Sequence, residues 1–265
     1  MVAWILRIPY VIHDSDAAPG LANRLLARHA TKIATGMPLD YYDYPAEKAE
    51  WTGIPINDEF APVSEAKSRS LKKEYGFNPD KPLLVVTGGS QGAQHINEAL
   101  REIMPELLKI TSVFLVAGRE RYTEMLDLKD YEVWEEGELK TNFRMREFSA
   151  EIYKLFGAAD LVVSRAGAST MAELSSMAKA VIMVPYEKLP GYHQVKNAKA
   201  YEKAKAAVVI TDGDMNKNPE LLLKAIKKLI KNEDERREIA KNIKKFSKEN
   251  AAESLAQAVI SVAKA

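Results

Sequence analysis

The sequence predicts an α/β protein built on doubly wound parallel sheets, and two observations carry that prediction. Short apolar runs, many of them rich in β-branched residues, alternate along the chain with stretches of helical period. The runs are continuous and lack a polar residue at every second position, so the strands are expected to be buried on both faces. Repetition of strand, helix and strand implies right-handed crossovers, with helices on both sides of a sheet.

The first sixty residues predict about half of an α/β unit. Residues 2–6 are expected to form the end of a helix. The elements predicted after it are a strand at 10–13, a helix at 21–29, and strands at 32–34 and 50–52. Residues 54–62 contain two prolines and few apolar residues in register, which favours a linker.

The rest of the chain predicts a larger α/β unit. Its strands are expected at 83–87, 113–117, 131–135, 160–164, 181–184 and 207–210. A helix is expected at 93–109, and three helices at 219–230, 234–248 and 251–263 close the chain. We therefore predict the remnant of an N-terminal domain with its linker at 1–60, a C-terminal domain at 61–247 and a closing helix at 248–265.

Composition excludes several classes of function. The 265 residues include no cysteine, so thiol catalysis, thiolate zinc sites and disulfides are excluded. Lysine and arginine total 38 against 37 aspartates and glutamates, which gives no overall attraction to nucleic acid. No run reaches the roughly 18 to 20 apolar residues of a membrane span. Residues 217–248 carry eleven basic and five acidic residues, which indicates a solvated helix face or weak attraction to an anionic membrane surface.

A glycine-rich turn joins the strand at 83–87 to the helix that follows it. The turn reads Thr87-Gly88-Gly89-Ser90-Gln91-Gly92. Glycines permit a tight turn and close approach of a ligand, and the N–H groups at a helix start favour phosphate. The turn lacks the Gly-Lys-Ser/Thr of a Walker loop and the spacing of a dinucleotide fingerprint. It therefore indicates either a phosphate site or a purely structural turn.

A second junction between strand and helix reads Ser164-Arg165-Ala166-Gly167-Ala168-Ser169-Thr170-Met171-Ala172-Glu173. Thr170 and Glu173 have the spacing of a capping box, in which both residues would serve only to start the helix. The alternative is a diphosphate site at the helix start. Glu173, one turn further, would then accept hydrogen bonds from two neighbouring ribose hydroxyls, because a carboxylate accepts two such bonds at once.

A third polar cluster follows the strand at 181–184. Residues 191–198 open a helix at the carboxyl edge of the sheet, where open α/β sheets bind ligands. His193 and Gln194 could exchange hydrogen bonds with sugar hydroxyls, or they are ordinary surface residues. His95 is expected to be a solvated side chain within a helix.

Together the three segments resemble one family, the MurG-type glycosyltransferases. The matching residues are Gly88-Gly89-Ser90-Gln91-Gly92, Arg165-x-Gly167-Ala168-x-Thr170-x-x-Glu173 and His193-Gln194-x-x-Asn197-Ala198, in the family's order and spacing. Residues 8–14 and 20–24 also resemble the family's pattern. The resemblance implies the GT-B architecture, two facing Rossmann-like doubly wound domains with the site in the cleft, of which the N-terminal domain is expected to be incomplete here.

The resemblance also implies a reaction. N-acetylglucosamine would pass from UDP-N-acetylglucosamine to lipid I, forming lipid II for peptidoglycan, with inversion and without a metal or cofactor. Its catalytic histidine lies in a glycine-rich loop of the N-terminal domain, and no residue of this chain matches it. The resemblance therefore implies mainly the donor-binding half of the enzyme, with no catalytic residue assigned.

Each matching residue has an implied role at the donor. Those expected at the diphosphate are Gly89, Ser90, Gln91, Ala168, Ser169 and Thr170. Those expected at the nucleoside and sugar are Ser149 for uracil, Glu173 for ribose, and His193 and Gln194 for the sugar. Asp16 and Asn57 stand where the family has Asn and Arg in contact with the donor, so weaker or rearranged donor binding is expected.

Three hypotheses follow from these expectations. The first is a transferase, completed by preceding residues or by a separate chain that carries the N-terminal domain. The second is a UDP-sugar-binding subunit without catalysis, and the third is a UDP-sugar epimerase of the same fold. The expected partners are UDP-N-acetylglucosamine, lipid I and that separate chain, without nucleic acid. The expected location is cytoplasmic, peripheral on the inner face of the cell membrane.

Overall fold

Two parallel sheets organise the chain. The computed structural model describes residues 2–89, 92–135, 138–188 and 190–263. Within this part of the chain a three-stranded sheet comes first and a six-stranded sheet follows, together with a two-stranded antiparallel ribbon. Every strand pair in the two larger sheets is parallel, as the continuous apolar runs predict.

The smaller sheet lies in the first part of the chain. Its strands, in spatial order, are β1 (Val11–Asp14), β2 (Lys32–Thr35) and β3 (Ala49–Trp51). Helices α1 (Val2–Ile5) and α2 (Leu21–Ala27) precede and follow β1. Ile12, Ala27, Ala30 and Ile33 form its small buried core. These elements lie within two residues of the predicted positions at every boundary.

The larger sheet begins after residue 80. The strands in this part are β4 (Leu83–Thr87), β5 (Ser112–Val116), β6 (Trp134–Glu135), β7 (Glu138–Leu139), β8 (Phe143–Arg146), β9 (Leu161–Ser164), β10 (Val181–Met183) and β11 (Val208–Val209). β6 and β7 form the antiparallel ribbon, and the other six lie in the spatial order β8-β5-β4-β9-β10-β11. The order along the chain reverses between β4 and β9. This doubly wound topology confirms the predicted fold of the larger unit.

The strand predicted at 131–135 is wrong as a member of the large sheet. A 3-10 helix covers Thr123–Tyr131, and β6 pairs only with β7. The third strand is β8, in which Phe143 and Met145 are fully buried whereas the arginines between and after them are not. β8 is the edge strand and alternates in burial, so it does not produce the continuous apolar run that marks the inner strands.

Helices cover both faces of the large sheet. They are α3 (Glu65–Glu74), α4 (Gln94–Leu107), α5 (Ile152–Ala158), α6 (Ala168–Ser176), α7 (His193–Lys203), α8 (Asp212–Lys217), α9 (Glu220–Lys231) and α10 (Glu233–Ile243), followed by α11 (Ala251–Ala263). One buried cluster packs β4, β5 and β9 against α4, α8 and α9, and a second packs the opposite face against α3, α5, α6 and α7. Among the described residues, no helix is both long and apolar enough to cross a bilayer.

Asn197 joins the two sheets through hydrogen bonds. Its Oδ1 accepts from the backbone N–H of Ala17, 2.7 Å away. Its Nδ2 donates to Asp16 Oδ1 at 2.8 Å and to the carbonyl oxygen of Ala166 at 3.0 Å. Ala166 follows β9, whereas Asp16 and Ala17 follow β1, so one buried amide holds the loops at the carboxyl ends of both sheets together.

Aromatic rings and the last helix add to this connection. Phe246 stacks on Tyr201 at a centroid distance of 4.2 Å and lies 5.8 Å from the ring of Tyr41. α11 then returns to the smaller sheet and packs against β1 and β2. The chain therefore crosses between the sheets twice, once after β3 and once before α11.

We predict that Asn197→Ala lowers the free energy of unfolding by about 3 kcal/mol, because three buried hydrogen bonds are lost and the Ala17 N–H is left without a partner. Urea unfolding followed by circular dichroism measures the change. The matched control is Asn57→Ala, since Asn57 is exposed and its side chain, among the described residues, bonds to the neighbouring Glu59. The control is expected to change stability by no more than about 0.5 kcal/mol. Equal effects of the two substitutions would show that Asn197 does not hold the sheets together.

Candidate functional site

The site lies at the reversal of strand order in the large sheet. Thr87 ends β4 and pairs in register with Ser164, which ends β9. The chain then enters α4 from β4 and α6 from β9, and these two helices pack on opposite faces of the sheet. A crevice opens at such a point, and ligands of open α/β sheets bind there.

The glycine turn after β4 has the backbone geometry that its sequence predicts. Gly89 and Gly92 have φ of 83° and 80°, values that favour glycine. A Cβ on Gly88 would lie 2.3 Å from the backbone nitrogen of Ala93, so only glycine fits there. Ala93 precedes α4 without a side-chain cap, so the first N–H groups of α4 are not taken by a capping side chain. Ser90 and Gln91, both predicted to contact the donor, lie outside the described residues.

The capping-box interpretation of the second junction is wrong. α6 begins at Ala168 after Gly167, which supplies no side-chain cap, and Thr170 is already the third residue of the helix. Glu173 lies well inside α6. No described residue donates a hydrogen bond or a salt bridge to its carboxylate. Helix capping therefore does not explain this acidic residue, and the alternative, a role at a ligand, remains.

A cavity of about 160 Å³ brings several of the predicted residues together. Its walls are formed by Thr87, Gly89, Val116, Phe148, Ser149, Ile152, Phe156, Thr170 and Glu173. Four of these are apolar side chains that could enclose a flat ring, and Arg119 lies over the Phe148 ring at 4.3 Å. The predicted positions Gly89, Ser149, Thr170 and Glu173 thus share one cavity, while the adjacent Ser169 is exposed on α6.

Burial raises the pKa of Glu173 to about 7. The cause is the removal of water from the carboxylate, which disfavours its charged form. At neutral pH this residue is therefore poised between its two protonation states. A ligand that donates hydrogen bonds to the carboxylate would favour the charged state.

A larger cavity of about 420 Å³ adjoins the first at Gly89, which lines both. Its walls are formed by Gly88, Gly89, Gly92, Ala93, Gln94, His95, Glu120, Arg121, Arg165, Tyr186 and Gln194. Gln194, predicted at the sugar, accepts a hydrogen bond from the Tyr186 N–H through Oε1 at 2.9 Å. The amide nitrogen of Gln194 is thereby left as the end that can donate to a ligand.

Asp16 and His193 lie between the two sheets and line neither cavity. His193 Nδ1 is 3.5 Å from Asp16 Oδ2, and Asp16 Oδ1 accepts from Asn197. The backbone carbonyl oxygen of Asp16 accepts from the Tyr42 hydroxyl at 2.7 Å. Ala168 borders a narrow gap of about 10 Å³ nearby. The structure therefore places Asp16 in the contact between the sheets.

The spacing Asp14-Ser15-Asp16 places two carboxylates close in sequence, but they face different partners. Asp14 accepts from Asn23 Nδ2 at 2.8 Å and from the Tyr44 hydroxyl. Asp14 is buried and its bonds stabilise the smaller sheet. The two carboxylates therefore support the fold separately.

Asn57 is separated from the other predicted residues. It lines a different cavity, of about 250 Å³, between the linker and the segment that leads into α11. Its Nδ2 donates to Glu59 Oε2 at 3.1 Å, and its Oδ1 accepts from the Glu59 N–H at the same distance. The structure does not bring Asn57 to either cavity at the switch point.

Sequence reasoning missed one cluster in the larger cavity. His95 is not simply solvated, because its Nδ1 lies 2.6 Å from Asp212 Oδ2. The other oxygen of Asp212 accepts from Arg165. Asp212 lies in α8 and His95 in α4, 117 positions apart, so no local motif connects them. The one available signal is Arg165, which belongs to the second junction motif.

Residues 83–256 match the family model described as the glycosyltransferase family 28 C-terminal domain. The chain belongs to glycosyltransferase family 28. A family relative from Listeria welshimeri is 33% identical over 261 residues, which make up 98% of this chain and 69% of the relative. Its name is UDP-N-acetylglucosamine--N-acetylmuramyl-(pentapeptide) pyrophosphoryl-undecaprenol N-acetylglucosamine transferase. A relative of the same name from Lachnospira eligens is 35% identical over 223 residues, or 84% of this chain and 59% of the relative. The chain thus spans 59 to 69% of the length of these two relatives.

Solved structures resemble the chain over nearly its whole length. Acinetobacter baumannii MurG covers 98% of this chain and 68% of its own, with a TM-score of 0.75 and 24% identity. Anabaena HepE in complex with UDP-glucose covers 99% of this chain and 74% of its own, with a TM-score of 0.58 and 16% identity. Both likenesses concern the fold, and they confirm the predicted α/β class of GT-B type.

We predict that Glu173→Gln stabilises the ligand-free chain more at pH 8 than at pH 5. The folded-state pKa of about 7 exceeds the ordinary value of 4.5, so the folded chain binds a proton that the unfolded chain releases in this window. Stability of the unsubstituted chain therefore falls as pH rises from about 4.5 to 7, and glutamine removes that fall. Thermal denaturation at both pH values measures the difference. Exposed Glu238→Gln on α10 is the control, and an equal effect of Glu173→Gln at both pH values would contradict the prediction.

Proposed function

We propose that this chain binds UDP-N-acetylglucosamine and serves in the transfer of N-acetylglucosamine to lipid I during peptidoglycan synthesis. One observation carries the proposal. Glu173, a half-buried carboxylate without a partner among the described residues, lies in a small cavity at the switch point of a doubly wound sheet. The names of the family 28 relatives, which transfer N-acetylglucosamine, support the choice of sugar nucleotide.

The smaller cavity suits a nucleoside. Val116, Phe148, Ile152 and Phe156 supply apolar surface for the base, and Ser149 offers backbone groups beside it. The carboxylate of Glu173 could accept hydrogen bonds from both ribose hydroxyls at once. The proposal therefore assigns uracil to the apolar wall and ribose to Glu173.

The diphosphate would cross Gly89 between the two cavities. The N-termini of α4 and α6 flank this point, and neither has a side-chain cap. Their N–H groups and helix dipoles stabilise negative charge. In an inverting transfer the acceptor hydroxyl attacks the anomeric carbon while the bond to the phosphate oxygen breaks, so negative charge grows on the departing UDP. The two helix starts would stabilise that charge. The acceptor hydroxyl passes its proton to a base, which is not assigned to a residue of this chain.

Titration calorimetry with UDP and UDP-N-acetylglucosamine tests the proposal. We predict that Glu173→Ala weakens UDP binding by about tenfold or more, since two hydrogen bonds to a charged group are lost. Removal of one hydroxyl, in 2′-deoxy-UDP, is expected to weaken binding to the unsubstituted chain but to have little further effect on the variant. UDP affinity is also expected to fall as pH drops below about 7, because protonation removes one acceptor from Glu173.

The control for this measurement is Glu238→Ala, which changes an exposed carboxylate on α10. It is expected to leave UDP affinity unchanged. Absence of UDP binding at millimolar ligand would contradict the proposed function. Unchanged UDP affinity in Glu173→Ala would contradict the role of Glu173 alone.

The proposal includes peripheral contact with a membrane, because lipid I is anchored there. Support comes from α1 and α2, since Trp4 of α1 stacks at 4.2 Å on His29, which follows α2. The exposed apolar side chains of this surface, each 53 to 70% accessible, are Val2, Ile5, Leu6, Ile8, Leu21 and Leu25.

We predict that Ile5→Glu together with Leu25→Glu reduces co-sedimentation with vesicles of anionic phospholipid, because charged side chains oppose insertion into the interface. Leu126→Glu is the control, since Leu126 is also exposed but belongs to the 3-10 helix at Thr123–Tyr131. The membrane contact is contradicted if the unsubstituted chain does not sediment with vesicles, or if the control loses as much binding as the double variant.

A further inference from the structure

We propose that the larger cavity is an anion site for the distal phosphate of a nucleoside diphosphate, with His95 and Arg165 as the phosphate contacts and Asp212 as the residue that positions both. The inference rests on the proposed function for the identity of the nucleotide. It assigns a role to three residues that the resemblance leaves without one.

Asp212 is the centre of this cluster. Its carboxylate is buried, and each of its two oxygens has a separate partner. Oδ2 lies 2.6 Å from His95 Nδ1, and Oδ1 accepts from Arg165 Nη1. One carboxylate thereby fixes side chains that come from two different elements, α4 and the segment after β9.

One nitrogen of the Arg165 guanidinium has hydrogen-bond partners, whereas its other donors have none among the described residues. Its side chain is 11% exposed, its Nη1 also donates to the Val184 carbonyl oxygen at 3.1 Å, and its guanidinium lies 5.2 Å from the centre of the Tyr186 ring. No described residue accepts a hydrogen bond from Nε or Nη2 of Arg165, although the side chain lines the cavity. A planar guanidinium with two donors directed to one place is suited to phosphate oxygens.

His95 complements this arrangement. Its Nδ1 is directed to Asp212, so Nε2 is the ring nitrogen left for the cavity that His95 lines. When both ring nitrogens carry a proton, Nδ1 donates to the carboxylate and Nε2 can donate to a phosphate. The neighbouring charged groups are Glu98 on the same helix and Glu120 and Arg121 after β5. Glu98 accepts from Gln94, and Arg121 pairs with Glu124 at 2.9 Å.

The other groups that face the cavity also donate. Gln194 presents its amide nitrogen, because Tyr186 occupies its oxygen. α4 begins at the cavity without a side-chain cap. Among the wall residues that the structure describes, Glu120 is the single carboxylate, and it is exposed at the rim. A cavity lined by hydrogen-bond donors favours a ligand with many hydrogen-bond acceptors, and a phosphate bound beyond Gly89 is such a ligand.

The test compares uridine, UMP and UDP by titration calorimetry on the full chain. His95→Gln is expected to weaken UDP binding by about tenfold while uridine affinity stays the same, because only the distal phosphate loses a contact. Arg165→Lys keeps a cation beside Asp212 but loses the planar pair of donors, so it is expected to reduce the preference for UDP over UMP as well. His29→Gln, which changes an exposed histidine between α2 and β2, is the matched control and is expected to change neither affinity. Thermal denaturation of each variant verifies that the fold is kept.

Equal loss of uridine and UDP binding, or an unchanged preference for UDP in both variants, would overturn the inference. If the unsubstituted chain binds neither uridine nor UDP, the proposed function fails, and inorganic pyrophosphate then decides the anion site separately. Pyrophosphate binding that is lost in His95→Gln and kept in His29→Gln would support the site. No pyrophosphate binding, or equal binding by both variants, would overturn it.

Discussion

The site depends on the parallel alignment of β4 and β9, whose carboxyl ends lie side by side. Thr87 and Ser164 are paired in register, yet the chain leaves them for helices on opposite faces of the sheet. The two connections must therefore separate, and the start of each helix is directed toward the crevice between them. The turn after β4 is tight enough to exclude a Cβ at Gly88, which would lie 2.3 Å from Ala93 N. The geometry of both cavities follows from this single arrangement of strands.

Glu173 is difficult to explain by stability alone. Burial of a carboxylate without a hydrogen-bonding partner is unfavourable, and the raised pKa records that penalty in the ligand-free chain. α6 does not need the residue, since the helix starts at Ala168 without a capping box. A locally unfavourable residue with no structural gain is typical of positions kept for a ligand. The ribose hydroxyls are donors that would satisfy the carboxylate and offset its desolvation.

Sequence patterns predicted the inner strands of the large sheet because burial on both faces leaves a continuous apolar run. β8 was not predicted, because this edge strand buries only alternate residues, Phe143 and Met145. Glu173 and Gly89, which the motifs singled out, line one cavity, since each follows a strand that ends at the same edge. The pairing of His95 with Asp212 could not be predicted, because it joins helices whose contact is set by packing across 117 positions.

The two cavities differ in the kind of polar group that they present, and the difference follows from how their carboxylates are satisfied. Glu173 has no described partner, so the smaller cavity presents an acceptor. Asp212 is engaged by both Arg165 and His95, so the larger cavity presents the remaining N–H groups of Arg165 and the Nε2 atom of His95. A ligand that passes Gly89 meets first an acceptor and then donors. A nucleoside diphosphate has the complementary order, with hydroxyl donors on its ribose and phosphate acceptors beyond them. The order of polarity along the crevice therefore agrees with the proposed orientation, in which the nucleoside lies at Glu173 and the phosphates toward Arg165.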